Sequence, residues 1–182
     1  QHCEDINLTG EGVMNESLTS TKLGLMGMTT ASELVIIARD LILTELTNAR
    51  IHFTHCSLKK SIELISIYKK LGLKITCDVT PHHIVFDDTM LITYDTNYKI
   101  NPPLRDINDV EFLQNILNEA DVIDCIVTDH APHTNVEKDM DFVNAPFGII
   151  GLQTAFSMLF TDLVITKKID IKVLKLKPEN FA

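Results

Sequence analysis

An α/β fold on parallel strands is predicted by three observations. Stretches with helical spacing alternate with short β-rich runs. Each β-rich run closes on a polar residue of unusual type: His55, Thr80 and Asp129. No repeat, low-complexity segment or evident linker breaks the alternation, so residues 1–182 read as one domain or one part of a domain.

The elements follow in chain order. Residues 30–46 predict a helix with Ala31, Leu34, Ile37, Ala38, Leu41 and Ile42 on one face, and Thr30 with Glu33 has capping-box spacing. RIHFTH, 50–55, reads as a strand ending at His55. Residues 58–71 read as a helix stopped by Gly72, and 73–80 as a strand closed by Pro81. Residues 109–120 predict a helix, 122–129 a strand, and the apolar run after Gly148 a long helix. The stretch 81–105 is long for a loop and rich in Pro, His and Asn; such loops in compact domains are usually functional. This order calls for parallel strands joined by right-handed crossovers.

Composition narrows the function. The chain has 25 acidic against 16 basic side chains, and the net charge of −9 disfavours a nucleic acid or an anionic membrane as partner. A small anionic substrate stays open, because a bound metal can dominate the local field. Cys3, Cys56, Cys77 and Cys125 are scattered and form no CxxC pair, which fits reduced thiols and a cytoplasmic setting. No stretch of apolar residues is long enough for a transmembrane helix. The polar start, without an initiating Met, reads as a piece of something longer.

Polar groups gathered at the C-terminal ends of parallel strands are the pattern of an α/β-barrel active site. An open doubly wound sheet would put its site there too, but the dinucleotide glycine fingerprint is absent. His2, in QHCED, has the same character as His55 and Asp129. Imidazole plus carboxylate suits zinc, with an open position for water. Such an ion polarises a carbonyl and activates water, and a carboxylate beside it can ferry the proton. The plainer readings carry weight. A lone strand-end histidine is more often a hydrogen-bonded loop residue, and the separations along the chain match no local metal motif. Asp129 could equally cap a turn. His52, His82 and His83 are expected to be structural, Glu4 and Asp5 solvated or capping, and Met14, Met26 and Met28 loop packing.

Six motifs add to this: HCED at 2–5, HFTHCS at 52–57, TPHH at 80–83, NPPLR at 101–105, TDHAPH at 128–133 and APFGIIGLQTA at 145–155. Together and in this order they resemble the larger bacterial dihydroorotases of the amidohydrolase superfamily. Allantoinases and hydantoinases share the strand-end histidine and aspartate but match NPPLR with TDHAPH less well. The resemblance implies part of a (β/α)8 TIM barrel, roughly its fifth to eighth strands. It implies a pair of Zn2+ ions in the complete site, with His2 and His55 on the second metal and Asp129 on the first as general base or acid. It further implies substrate contacts from Asn101, His133 and the backbone at Phe147 and Gly148. Arg105 is expected to be structural. The implied reaction is the reversible closure of N-carbamoyl-L-aspartate to L-dihydroorotate in pyrimidine synthesis. Family analogy adds a homo-oligomer or a carbamoyltransferase as partner.

Some expected parts have no counterpart in the chain: the first-strand HxHxR, the bridging carboxylate and the C-terminal segment of a small β subdomain. A full barrel takes about 250 residues. The expectation is therefore a fragment that is inactive alone. The alternatives are an allantoinase- or dihydropyrimidinase-type enzyme, or an inactive dihydroorotase-like scaffold subunit. Ser17 stands where the family commonly has Gly, and Asp78 where it often has Glu.

Overall fold

In a computed structural model of the chain, residues 1–119 and 121–174 are described. Residue 120, the end of the predicted 109–120 helix, and 175–182, the end of the predicted domain, lie outside the described residues.

The described elements run α1 (Ile6–Thr9), β1 (Met14–Asn15), α2 (Leu18–Leu23), β2 (Gly27–Met28), α3 (Ala31–Thr47), β3 (Ile51–Phe53), α4 (Lys59–Lys70), β4 (Ile75–Val79), α5 (Pro81–Val85), α6 (Ile107–Ile116), β5 (Cys125–Ile126), α7 (Asn135–Lys138) and α8 (Ala155–Leu159). Two parallel sheets form, β1-β2 and β3-β4-β5. The register pairs His52 with Thr76, Phe53 with Cys77 and Asp78 with Cys125. A parallel bridge between His130 and Ile149 continues the pattern beyond β5.

Strand alternation explains how one sheet serves both core and site. Phe53, Ile75, Cys77 and Val79 point to one face and join Ile37 and Leu41 of α3, Ile62 and Ile65 of α4, and Leu113 of α6 in the main core. Full burial of such a side chain stabilises by about 1.5–3 kcal/mol. The residues between them, His52, Thr76 and Asp78, occupy the opposite face, where His52 and Thr76 are exposed.

Several expectations need correction. The predicted strands shrink to Ile51–Phe53, Ile75–Val79 and Cys125–Ile126, because their last residues leave the ladder to turn at the sheet rim. Thr30 makes no side-chain cap, because its own backbone is helical, φ −61° and ψ −21°, and Glu33 is drawn inward by Arg105, Ser57 and Ser61. On α3 the buried face centres on Ile36, Ile37 and Leu41, and Ile42 is half exposed. The stretch 81–105 is not a structureless loop: it holds α5 and 3-10 turns at Asp88–Thr93 and Thr96–Tyr98. The long helix after Gly148 begins only at Ala155 and widens to a π-helix over Phe160–Ile165. The short elements α1, α2, α7, β1 and β2 escaped the periodicity reading because none spans two turns or more than two paired residues.

Candidate metal and substrate site

His55 follows β3 with a left-handed backbone, φ 42°, and Asp129 follows β5 in the same way, φ 44°. Both residues turn the chain sharply at the rim. His2 reaches that rim from the N-terminal segment, which is fastened to β3. The terminal amine donates to the His52 carbonyl at 2.7 Å, and the Thr54 amide donates to the Gln1 carbonyl at 3.2 Å.

Two imidazoles meet there. His2 Nδ1 lies 2.9 Å from His55 Nε2, with the rings edge to face at 4.7 Å. On its other side His2 Nε2 lies 2.9 Å from Glu4 Oε2. A carboxylate at Nε2 holds the ring proton there and leaves a lone pair on Nδ1, the usual arrangement behind a metal-ligating histidine. Two ring nitrogens then face one another and need one proton or one cation between them. His55 is buried and its Nδ1 has no hydrogen-bond partner. Burial holds the His55 pKa below the ordinary value, a proton shared onto His2 would lower it further, and the Asp129 charge opposes it. Neutral His55 is thus available as a donor, and the facing pair, His2 Nδ1 and His55 Nε2, fits two positions of a divalent metal. Asp129 is exposed and acts on His55 through its charge.

Asn101 is tied to this centre through Glu4, whose Oε1 accepts from Asn101 Nδ2 at 3.1 Å. His133, Phe147 and Gly148 form a second cluster. His133 Nε2 donates to the Phe147 carbonyl at 2.9 Å, and the Gly148 amide donates to the Lys99 carbonyl at 2.9 Å. Gly148 has φ 147°, and a Cβ there would stand 2.5 Å from the Ala131 carbonyl oxygen and 2.9 Å from the His133 ring. The segment Lys99–Asn101 joins the clusters. Lys99, buried, donates through Nζ to the Val143 and Ala145 carbonyls at 2.9 and 2.7 Å and lies 4.6 Å from the Phe147 ring centre.

Arg105 is buried, and its bonds go to residues outside both clusters. It donates to Ser57 Oγ and Asn15 Oδ1 at 2.9 Å each and to Glu33 Oε2 at 3.2 Å. His83 is held between Thr80 Oγ1 at 2.8 Å and the Pro102 carbonyl at 2.9 Å, and burial pushes its pKa down to about 3. Asp5 caps α1 by accepting from the Asn7 amide. Glu4 does not remain solvated as expected; the faint signal for its role was its position two residues from His2, where it can return to the same ring. Asp78, which the sequence marks only as a departure from the family's usual Glu, has contacts near the site. It binds His52 Nε2 at 2.6 Å, and with Cys125 these residues bring three donor atoms within 4.8 Å, a grouping able to hold a cation, whereas His2 and His55 bring together two.

Against known proteins, the chain is 48% identical over 176 residues to a dihydroorotase of Carboxydothermus hydrogenoformans and 49% identical over 173 residues to that of Caldanaerobacter subterraneus subsp. tengcongensis. These matches take in 97% and 95% of the chain. The chain is a relative of the dihydroorotases. It spans about two fifths of the length of the curated dihydroorotases it matches, 41% and 40%. No protein-family model matches. Among solved structures it superposes on an L-hydantoinase (dihydropyrimidinase) from Arthrobacter aurescens with TM-score 0.82 at 22% identity, covering 95% of this chain and 40% of that one. A dihydropyrimidinase from Brevibacillus agri gives TM-score 0.78 at 21% identity over 94% and 39%. At such identities the likeness speaks for the fold alone, an α/β fold shared with part of these hydantoinase and dihydropyrimidinase structures.

Proposed function

We propose that this dihydroorotase relative carries one side of a metal-assisted cyclic-amide hydrolase centre and contributes strands five to eight of its barrel. The reaction is L-dihydroorotate plus water to N-carbamoyl-L-aspartate, and its reverse. The observation that carries the reading is the 2.9 Å approach of His2 Nδ1 to His55 Nε2, with Glu4 behind one ring and burial around the other. His2 and His55 would hold a divalent ion, zinc by donor type, and Asp129 would stand at a companion ion. Such an ion supplies Lewis-acid polarisation of the ring carbonyl and a more acidic water.

The chain's own residues do the rest. Asp129 accepts a proton from the attacking water and returns it to the ring nitrogen as the C–N bond breaks. Its exposed place at the rim gives it access to solvent and substrate. Asn101 presents an amide with both a donor and an acceptor, and His133 with the Phe147–Gly148 backbone forms the wall opposite. Engagement of the ring at that wall requires the Gly148 amide to leave the Lys99 carbonyl.

The test is a graft. This chain replaces the matching segment of the Carboxydothermus hydrogenoformans dihydroorotase, and hydrolysis of dihydroorotate, allantoin and dihydrouracil is compared. Dihydroorotate turnover that disappears with Asp129→Asn supports the proposal. A folded graft that prefers dihydrouracil or allantoin assigns the chain to those activities, and one inert toward all three while still taking up zinc favours the scaffold role.

A further inference from the structure

Asp78 is buried on the sheet face turned away from the helices, and its contacts converge on the turn that carries His55. Its Oδ1 accepts the His55 main-chain amide at 2.5 Å and the Thr54 hydroxyl at 3.3 Å. Its own carbonyl accepts the Cys56 amide at 2.9 Å. Two consecutive amides of the turn thus end on one residue of the neighbouring strand. His55 needs such a hold, because a non-glycine residue at φ 42° is kept there only by its surroundings. The second oxygen, Oδ2, is braced by His52 Nε2 at 2.6 Å, and His52 is itself held by Thr76 Oγ1 at 2.8 Å.

We propose that Asp78 is a positioning residue: it fixes the backbone of His55 and thereby sets the approach of His55 Nε2 to His2. The inference deepens the metal-site reading above and rests on it for its functional consequence. The competing reading makes His52, Asp78 and Cys125 a cation site of their own. The clamp fits better, because both Asp78 oxygens already have donors, from the His55 turn and from His52.

The experiment uses this chain with Asp78→Ala, Asp78→Val, Asp78→Asn and Cys125→Ser. Hydrogen exchange at the His55 amide is read by NMR, and Co2+ uptake by chelator competition and absorption. Loss of the carboxylate in Ala or Val should speed His55 exchange at least tenfold and weaken cobalt about 10- to 100-fold, the usual effect of removing a partner behind a ligand. Asp78→Asn, which keeps an oxygen in place, should recover most of both, and Cys125→Ser should change neither. Should the Ala variant fail to fold, the strand-compatible Val variant carries the test. Unchanged exchange and affinity in a folded Ala or Val variant overturn the proposal. So does a thiolate-to-cobalt band that vanishes with Cys125→Ser, which would make the cluster a cation site. A wild-type chain that takes up no cobalt removes the metal-site reading, while the exchange rates still decide whether Asp78 holds His55.

Discussion

Arg105 and Glu33, far apart in the chain, meet at 3.2 Å, both nearly without solvent. The guanidinium also binds Ser57 and Asn15, and the carboxylate binds the Ser57 amide and the Ser61 hydroxyl at 2.7 Å. One network therefore ties α3, the turn before α4, the end of the NPPLR stretch and β1. Arg105→Met should destabilise by about 3–5 kcal/mol, because Glu33 would be left buried and unpaired. Urea unfolding measures this; a loss below about 1 kcal/mol would show the network to be ornamental.

The facing imidazoles make a claim about metal. The chain should bind zinc weakly, and His55→Ala should abolish that binding in a competition titration. Glu4→Gln should weaken it about 10- to 100-fold by loosening the orientation of His2. The chain by itself should show no turnover of dihydroorotate. Robust turnover by the purified chain would contradict that expectation.

Asp129 is exposed, so its removal should leave packing intact. In the grafted enzyme, Asp129→Asn should lower kcat by at least about 100-fold, the scale of lost proton-transfer catalysis, with the thermal midpoint almost unmoved. Comparable losses in both would mark a structural acid.

Gly148 cannot accept a side chain without moving its neighbours. Gly148→Ala sets a Cβ against the Ala131 carbonyl and the His133 ring on a backbone that favours glycine. A loss of about 1–3 kcal/mol is expected. In the graft KM should rise, because the wall formed by His133 and Phe147 shifts. Unchanged KM would separate that wall from substrate.

Acid should destabilise the fold through His83. The folded imidazole takes its proton only near pH 3, whereas the unfolded one does so near 6.5. Between those values the unfolded chain binds more protons, so stability falls as pH drops from 6.5 toward 3 and is free of this penalty above 6.5. His82 acts in the same direction, also through burial. His83→Gln should flatten the slope in urea titrations at pH 7, 5.5 and 4.5. An unchanged slope would place the acid sensitivity elsewhere.

Much of the architecture was legible because helices α3, α4 and α6 and strands β3 and β4 carry their periodicity locally. Ile62 and Ile65 on α4, or Ile75, Cys77 and Val79 on β4, declare their buried face by spacing alone. Two-residue strands such as β1 and β2 have no period to read, and the π-widened helix at Phe160–Ile165 follows from packing that no local rule encodes.

The candidate site divides in the same way. His55 and Asp129 could be picked out from residue type and position at strand ends, His2 from its likeness in character to them, and the acidic balance already disfavoured nucleic acid. Glu4 and Asp78 could not. Their roles depend on which nitrogen or amide lies within 3 Å of a carboxylate oxygen, a distance set by how β3 and β4 register and how the N-terminal segment docks against them. Residue type and spacing set which side chains prefer water and which prefer the core. Pairings between groups distant along the chain arise only when burial of the sheet's apolar face fixes the opposite face in place. That is why the acids were visible as acids and their partners were not.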